Sequence, residues 1–305
     1  MSGGTGTDGP VERMRRRAVP LFVLPMAAVL ALVAGWPLAR TLWFSLTDAT
    51  LATLDDHAVI GLENYYWLGL DPVWWRAVGN TLLFAGVSVT LETALGFALA
   101  LVLNRRLPLR GVLRAVVLIP WAIPTVVSAQ MWAWMLHDLY GVVNTILLAL
   151  GLIAAPLAWT ADPALALPAV IAVDVWKSTP FMTLLILAAL QLVPGELYEA
   201  ARVDGVPAHR VFLDITLPLV WPAVMVAVIF RTLDALRVFD LMYVLTGNSR
   251  ETMSMSVYAR QHLIEFQDVG YGSAASSALV LVVALVTALA ITAGRLRLGD
   301  GEPER

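Results

Sequence analysis

There is no cysteine among the 305 residues, which excludes disulfides, zinc–thiolate sites and thiol nucleophiles. Lysine is nearly as scarce, Lys177 being the only one. A phosphate-cradling P-loop requires G-x-x-x-x-G-K-[ST], because its lysine must reach the nucleotide. Lys177 instead follows Val173-Asp174-Val175-Trp176, with no glycine pair upstream. If ATP powers this protein, a different chain binds it. Charge is also sparse: 14% of residues are charged, against roughly 25% in soluble domains. With 59% hydrophobic residues, that deficit has to come from segments that meet apolar surroundings all round. The four histidines (His57, His137, His209 and His262) are scattered through loops without metal-ligand spacing. Neither a metal site nor catalysis is expected.

Long apolar runs are what the chain has. A helix needs about 20 apolar residues to cross a hydrocarbon layer of ~30 Å. Six stretches reach that length, at 19–46, 78–103, 112–136, 165–192, 219–245 and 273–293. The first is too long for a signal-peptide core and contains no small-residue cleavage site, so it is expected to be retained. Arginines in short loops set orientation. Arg13, Arg15, Arg16 and Arg17 precede the first run, Arg105, Arg106, Arg110 and Arg114 lie between the second and third, and Arg295 and Arg297 follow the sixth. The opposite loops are acidic, with Asp48, Asp55, Asp56, Glu63, Asp71, Asp138 and Asp162. Tyr65, Tyr66, Trp67, Trp74 and Trp75 suit the outer interface ahead of the second run. The reading is an all-α membrane protein of six transmembrane helices, both termini cytoplasmic. Residues 1–17 form a disordered cytoplasmic N-terminus, 18–298 the membrane domain and 299–305 a cytoplasmic tail. The apolar stretch 141–152 is too short to cross. Two readings are open for it: a helix lying along or dipping into the outer surface, and an ordinary buried loop helix.

Between the fourth and fifth runs lies PGELYEAARVDGVPAHRVFLDITLPLVWP, residues 194–222. Leu197, Ala200 and Ala201 recur at helical spacing, with Glu196, Glu199 and Arg202 on the other side. Gly205 permits a turn with positive φ, and Pro207 suits the first turn of a second helix. That helix presents Val211, Phe212 and Ile215 and is expected to stop at Pro218. Two short helices at an angle should therefore project into the cytoplasm. The pattern Glu199-Ala200-Ala201, then Gly205, then Ile215-x-Leu217-Pro218 resembles the EAA loop of binding-protein-dependent ABC importer permeases. Val175 to Phe181 and Phe239 to Gly247 are similar to the maltose/trehalose-type sugar permeases of that family.

The resemblance implies a type I ABC importer permease fold whose loop 194–218 docks on a separate ATPase. The docking residues would be Glu199, Ala200, Ala201, Asp204, Gly205, Ile215, Leu217 and Pro218. It implies a bacterial cytoplasmic-membrane location and no cofactor in this chain, ATP and Mg being bound by the ATPases. The implied partners are a second homologous permease, two ATPase subunits and an extracytoplasmic solute-binding protein; no nucleic-acid partner is expected. An amphipathic helix on the membrane surface, without a partner, is the competing account of the loop.

Charges inside the apolar runs need partners, since one facing lipid costs about 2.5–3.5 kcal/mol on insertion scales. Arg231, Asp234, Arg237 and Asp240 follow at i+3 steps in the fifth run. They could neutralise one another or line a hydrated path for a polyhydroxylated solute. Asp174 and Lys177 form a further i+3 pair, and Glu92 has no basic neighbour in its own run, so it should pair with another helix. Asn80 and Gln130 suit interhelical hydrogen bonds. The resemblance places a substrate path at Arg231, Asp234, Ala235, Val238 and Asp240, with Lys177, Ser178 and Phe181. It implies import of a disaccharide such as trehalose or maltose, with glycerol 3-phosphate or another polyol or oligosaccharide as the other substrate class. A proton-driven secondary transporter using Glu92 and Asp174 as relays would not explain the loop. A membrane enzyme would need a nucleophile, base and metal set that is absent from the sequence.

Overall fold

A computed structural model describes residues 23–105 and 108–299, apart from the side chains of 293–299. The expected disordered N-terminus, the start of the first run, Arg106 and residues 300–305 of the tail lie outside the described residues, as do the Arg295 and Arg297 side chains. All regular elements among the described residues are helices; two isolated antiparallel bridges join Thr47 to Val59 and Thr50 to Asp268. We label the helices α1 (Val23–Phe44), α2 (Glu63–Leu70), α3 (Pro72–Leu103), α4 (Arg110–Ala122), α5 (Thr125–Met135), α6 (Val142–Ala149), α7 (Ala166–Leu192), α8 (Gly195–Val203), α9 (Ala208–Ala235), α10 (Asp240–Thr246), α11 (Met255–Arg260) and α12 (Val269–Gly299).

Five of these, α1, α3, α7, α9 and α12, are long and apolar enough to cross a membrane singly. The expected run at 112–136 is not one straight helix. It is broken into α4 and α5, which meet at 87°. Pro124 is the cause: a residue before proline is pushed out of the helical region, and Ile123 sits at φ −74°, ψ 133°. The run at 219–245 is likewise interrupted, because α9 ends at Ala235 and Phe239 leaves helical geometry (φ −133°, ψ −67°) before α10 begins. Arg237 and Asp240 therefore do not continue the helical band of Arg231 and Asp234. Both breaks expose backbone carbonyls at apolar depth, where such groups must find partners within the protein. Lys177 Nζ donates to the Ile123 carbonyl at 2.6 Å. Ser254 Oγ donates to the Val238 carbonyl at 2.8 Å.

Helix starts explain other offsets. The second run begins earlier than its apolar stretch suggests: Asp71 caps α3 by accepting from Val73 N at 2.7 Å, with Pro72 in the first turn. Trp74 and Trp75 consequently lie within this helix. The stretch 141–152 forms the eight-residue α6, too short to cross. Its buried Asn144 is tied to Leu157 through both amide atoms and accepts from Trp159 Nε1.

The central pair is α3 against α7, which buries most of α7's apolar length. Two apolar clusters form around it. One, with Ala100, Leu103, Ile186, Leu190, Val220 and Val224, sits where α3 and α7 end and α9 begins. The other gathers Phe84, Val170, Leu241, Met242, Met255 and Tyr258 toward the opposite end. Close approach of α3 to α7 depends on Gly96, where an added Cβ would stand 2.9 Å from Met182 Cβ and 3.1 Å from Thr183 N. Replacing Gly96 with Val should destabilise the protein by about 1–3 kcal/mol through overpacking. Thermal unfolding of detergent-purified protein checks this, and an unchanged midpoint would contradict the packing.

Candidate functional site

Between the two apolar clusters three helices each contribute a buried charge. Arg231 of α9 is 4% exposed and forms two hydrogen bonds with Glu92 of α3, Nε to Oε2 at 2.6 Å and Nη2 to Oε1 at 2.9 Å. Its Nη2 also pairs with Asp174 of α7. A third carboxylate, Asp234, one turn along α9, accepts from Nη1 at 3.1 Å. The side chain of Glu92 is 0% exposed and that of Asp234 74%. The cluster therefore runs from a sealed interior to an open wall. Burying one such ion costs several kcal/mol unless its geometry and hydrogen bonds are complete. The fork of a guanidinium, which offers five donors, meets that condition.

The open wall belongs to a polar cavity of about 170 Å³ lined by Asp174, Lys177, Ser178, Arg231, Asp234 and Ala235, and by Arg237, Val238 and Asp240 from the break between α9 and α10. A neighbouring cavity of about 310 Å³ shares Ser178, Arg231, Asp234 and Arg237 and adds Trp121, Phe181 and Phe230. Trp121 and Phe181 stack with ring centroids 5.9 Å apart. All eight residues expected along the solute path thus fall on these two adjoining cavities. Glu92 stands behind them. The expected i+3 pair of Asp174 with Lys177 is replaced by other partners: Asp174 pairs with Arg231 and accepts from Ser178, while Lys177 takes the Ile123 carbonyl.

The loop between α7 and α9 shows the expected turn but not the expected stop. Helix α8 ends with Val206 N donating to Ala201 O at 2.9 Å and Gly205 N to Arg202 O at 3.2 Å. This paired closure needs a left-handed residue after Asp204, and Gly205 has φ 69°. Glu199, Ala200 and Asp204 are exposed, whereas Ala201 is buried. Pro218 does not end the second helix. Leu217 N reaches back to Phe212 O in a π-turn over Val211–Thr216, and the widened turn lets the chain pass the proline. Ile215, Leu217 and Pro218 therefore belong to one helix that runs from the loop to Ala235.

Residues 92–296 match the model of the family described as "binding-protein-dependent transport system inner membrane component". The chain belongs to this family. Among its relatives, the trehalose/maltose transport system permease protein MalF of Thermococcus litoralis is 44% identical over 91% of this chain and 93% of its own. The trehalose transport system permease protein SugA of Mycobacterium tuberculosis is 42% identical, over 94% and 92%. A chain from the crystal structure of a bacterial ABC transporter involved in the import of the acidic polysaccharide alginate shares the fold. Its TM-score is 0.79 at 24% identity, covering 92% of this chain and 96% of that one.

In this inner membrane component, several cavity residues were missed from sequence. Phe84 reaches the cavity from the unbroken α3, whereas Thr125, Phe239 and Leu241 come from the two helix breaks and the elements that follow them. The hydroxyphenyl of Tyr258 donates to Asp71, and burial pushes its ionisation upward. His262 lies against Tyr258, Phe266 and Tyr271, and burial lowers its basicity. It is an aromatic packing group, a role its loop position conceals. Among the described residues no cluster of His, Cys, Asp or Glu could hold a metal. Replacing Arg231 with Ala strands Glu92 and Asp174 and should cost about 3–5 kcal/mol. Replacing the exposed Asp234 with Ala should cost at most about 1 kcal/mol. Paired unfolding measurements on the two variants check this, and equal losses would contradict the described burial.

Proposed function

We propose that this chain is the permease subunit of an ATP-binding-cassette importer that moves a disaccharide such as trehalose or maltose through the bacterial cytoplasmic membrane. The carrying observation is the cavity beside the α9–α10 break, whose carboxylates and cations are positioned to accept from and donate to hydroxyl groups. The stacked Trp121 and Phe181 supply an apolar face for the C–H side of a sugar ring. The names of MalF and SugA support the substrate class.

In this reading residues 18–298 form the membrane domain, with both termini and the loop 194–218 on the cytoplasmic side, as the arginine distribution favours. The chain has no catalytic role and holds no cofactor. It pairs with a second homologous permease and two ATPase subunits that bind ATP and Mg, and receives solute from an extracytoplasmic binding protein. Exposed Glu199, Ala200 and Asp204, with the Gly205 turn, offer the ATPase a compact knob, in which Ala200 allows close approach, Glu199 can pair with a base and buried Ala201 packs the helix beneath. Ile215, Leu217 and Pro218 continue that knob into α9. ATP binding moves the loop and switches the cavity between faces, a bistable element biased by nucleotide and solute. A proton relay through Glu92 and Asp174 is disfavoured, because both carboxylates are engaged by Arg231.

Uptake of labelled trehalose into proteoliposomes tests the proposal. Flux should require the ATPase subunits and the binding protein; flux through this chain alone would overturn it. In the same assay Glu199→Ala and Gly205→Pro should leave insertion intact but reduce uptake per ATP hydrolysed, on the order of tenfold for the proline. Normal coupling in Gly205→Pro would remove the docking role.

A further inference from the structure

An arginine at the wall of a polar cavity is ordinarily an anion site, since its fork matches phosphate or sulfonate oxygens. Here four of the five donors of the fork are already occupied. Of five possible donors, Nε and Nη2 serve Glu92, Nη2 also serves Asp174, and Nη1 serves Asp234. Lys177, the second cation at this wall, is held by the Ile123 carbonyl. Arg237 is exposed, and Asp240 lines the same cavity. The lining itself balances three cations (Lys177, Arg231 and Arg237) against three carboxylates (Asp174, Asp234 and Asp240). Glu92 adds a fourth carboxyl group directly behind.

That last carboxylate is expensive to bury. Asp174 ties α7 to α9 through Arg231, and Glu92 ties α3 to the same guanidinium. Beyond that tie, Glu92 takes two of the guanidinium's five donors and faces its charge from behind the cavity. We propose that Glu92 and Asp174 are specificity-determining residues which, by occupying Arg231, bar anionic solutes and restrict the path to uncharged polyhydroxylated ones. The inference rests on the cavity being the solute path proposed above. Neither residue need touch solute; Glu92 in particular acts through Arg231.

The test uses the assembled permease–ATPase complex in detergent, without binding protein, so that the binding protein's own selectivity is removed. Trehalose and trehalose 6-phosphate are compared by ligand-observed NMR titration. The native complex should bind trehalose and bind the phosphate ester more weakly by on the order of tenfold. Glu92→Gln should gain affinity for the phosphate ester by on the order of tenfold, the scale of one unit charge acting through a partly screened interior. Adding Arg231→Gln to that variant should abolish the gain. Asp174→Asn, the other residue of the proposal, should show a gain of the same sign and decides the matter if Glu92→Gln does not assemble. If the variants bind trehalose with no gain for the phosphate ester, the specificity role is wrong while the solute path stands. If the native complex binds no trehalose, the solute path itself fails, and this inference with it.

Discussion

A guanidinium enclosed by carboxylates in an otherwise apolar slab is the interaction on which this molecule's organisation depends. Glu92, Asp174 and Arg231 come from three different helices, and none can tolerate hydrocarbon alone. Their mutual need fixes the rotation of α3, α7 and α9 about their own axes more tightly than apolar packing could. Leu and Val side chains accept many rotations at little cost, but the bidentate contact between Arg231 and Glu92 accepts few. The apolar clusters on either side supply most of the buried area. The charges supply register.

The breaks in α4–α5 and α9–α10 are the second constraint. An interrupted helix within a membrane leaves backbone groups that only protein can satisfy. This chain uses its one lysine for the first break and Ser254 for the second. Each break also turns side chains toward the cavity that a straight helix would have sent elsewhere. Thr125 follows directly from the first, and Val238, Phe239 and Asp240 from the second. Irregular backbone and polar lining are thus one device.

Much of this was legible in the sequence, and the exceptions have definite causes. Apolar length located α1, α3, α7 and α12, since hydropathy over 20 residues depends little on tertiary contact. The Gly205 turn was legible because only glycine adopts its φ without strain. That Glu92 must find a basic group on another helix followed from its isolation within its run, although the sequence could not say that Arg231 was the partner. The break after Ala235 was not legible: no proline or glycine marks it, and it depends on Ser254 capturing a carbonyl. Pro218 misled for the opposite reason, because a π-turn absorbs a residue that normally ends a helix. The Asp174–Lys177 spacing suggested a pair, yet each side chain meets a stronger demand nearby. Proximity in sequence gives candidates for contact, and competition among buried groups selects between them.

The unbroken passage of the loop helix into α9 has a geometric result. About 35 Å of helix separates Ala208 at its base from Arg231, at a rise of 1.5 Å per residue. Tilting such a rod by about 5° carries its far end through about 3 Å, the length of a hydrogen bond. The Arg231 contacts to α3 and α7 therefore cannot outlast even a modest swing of the base unless those helices swing too. Gearing of this ratio makes the helices around the cavity either turn as a single rotor or exchange one set of ion pairs for another.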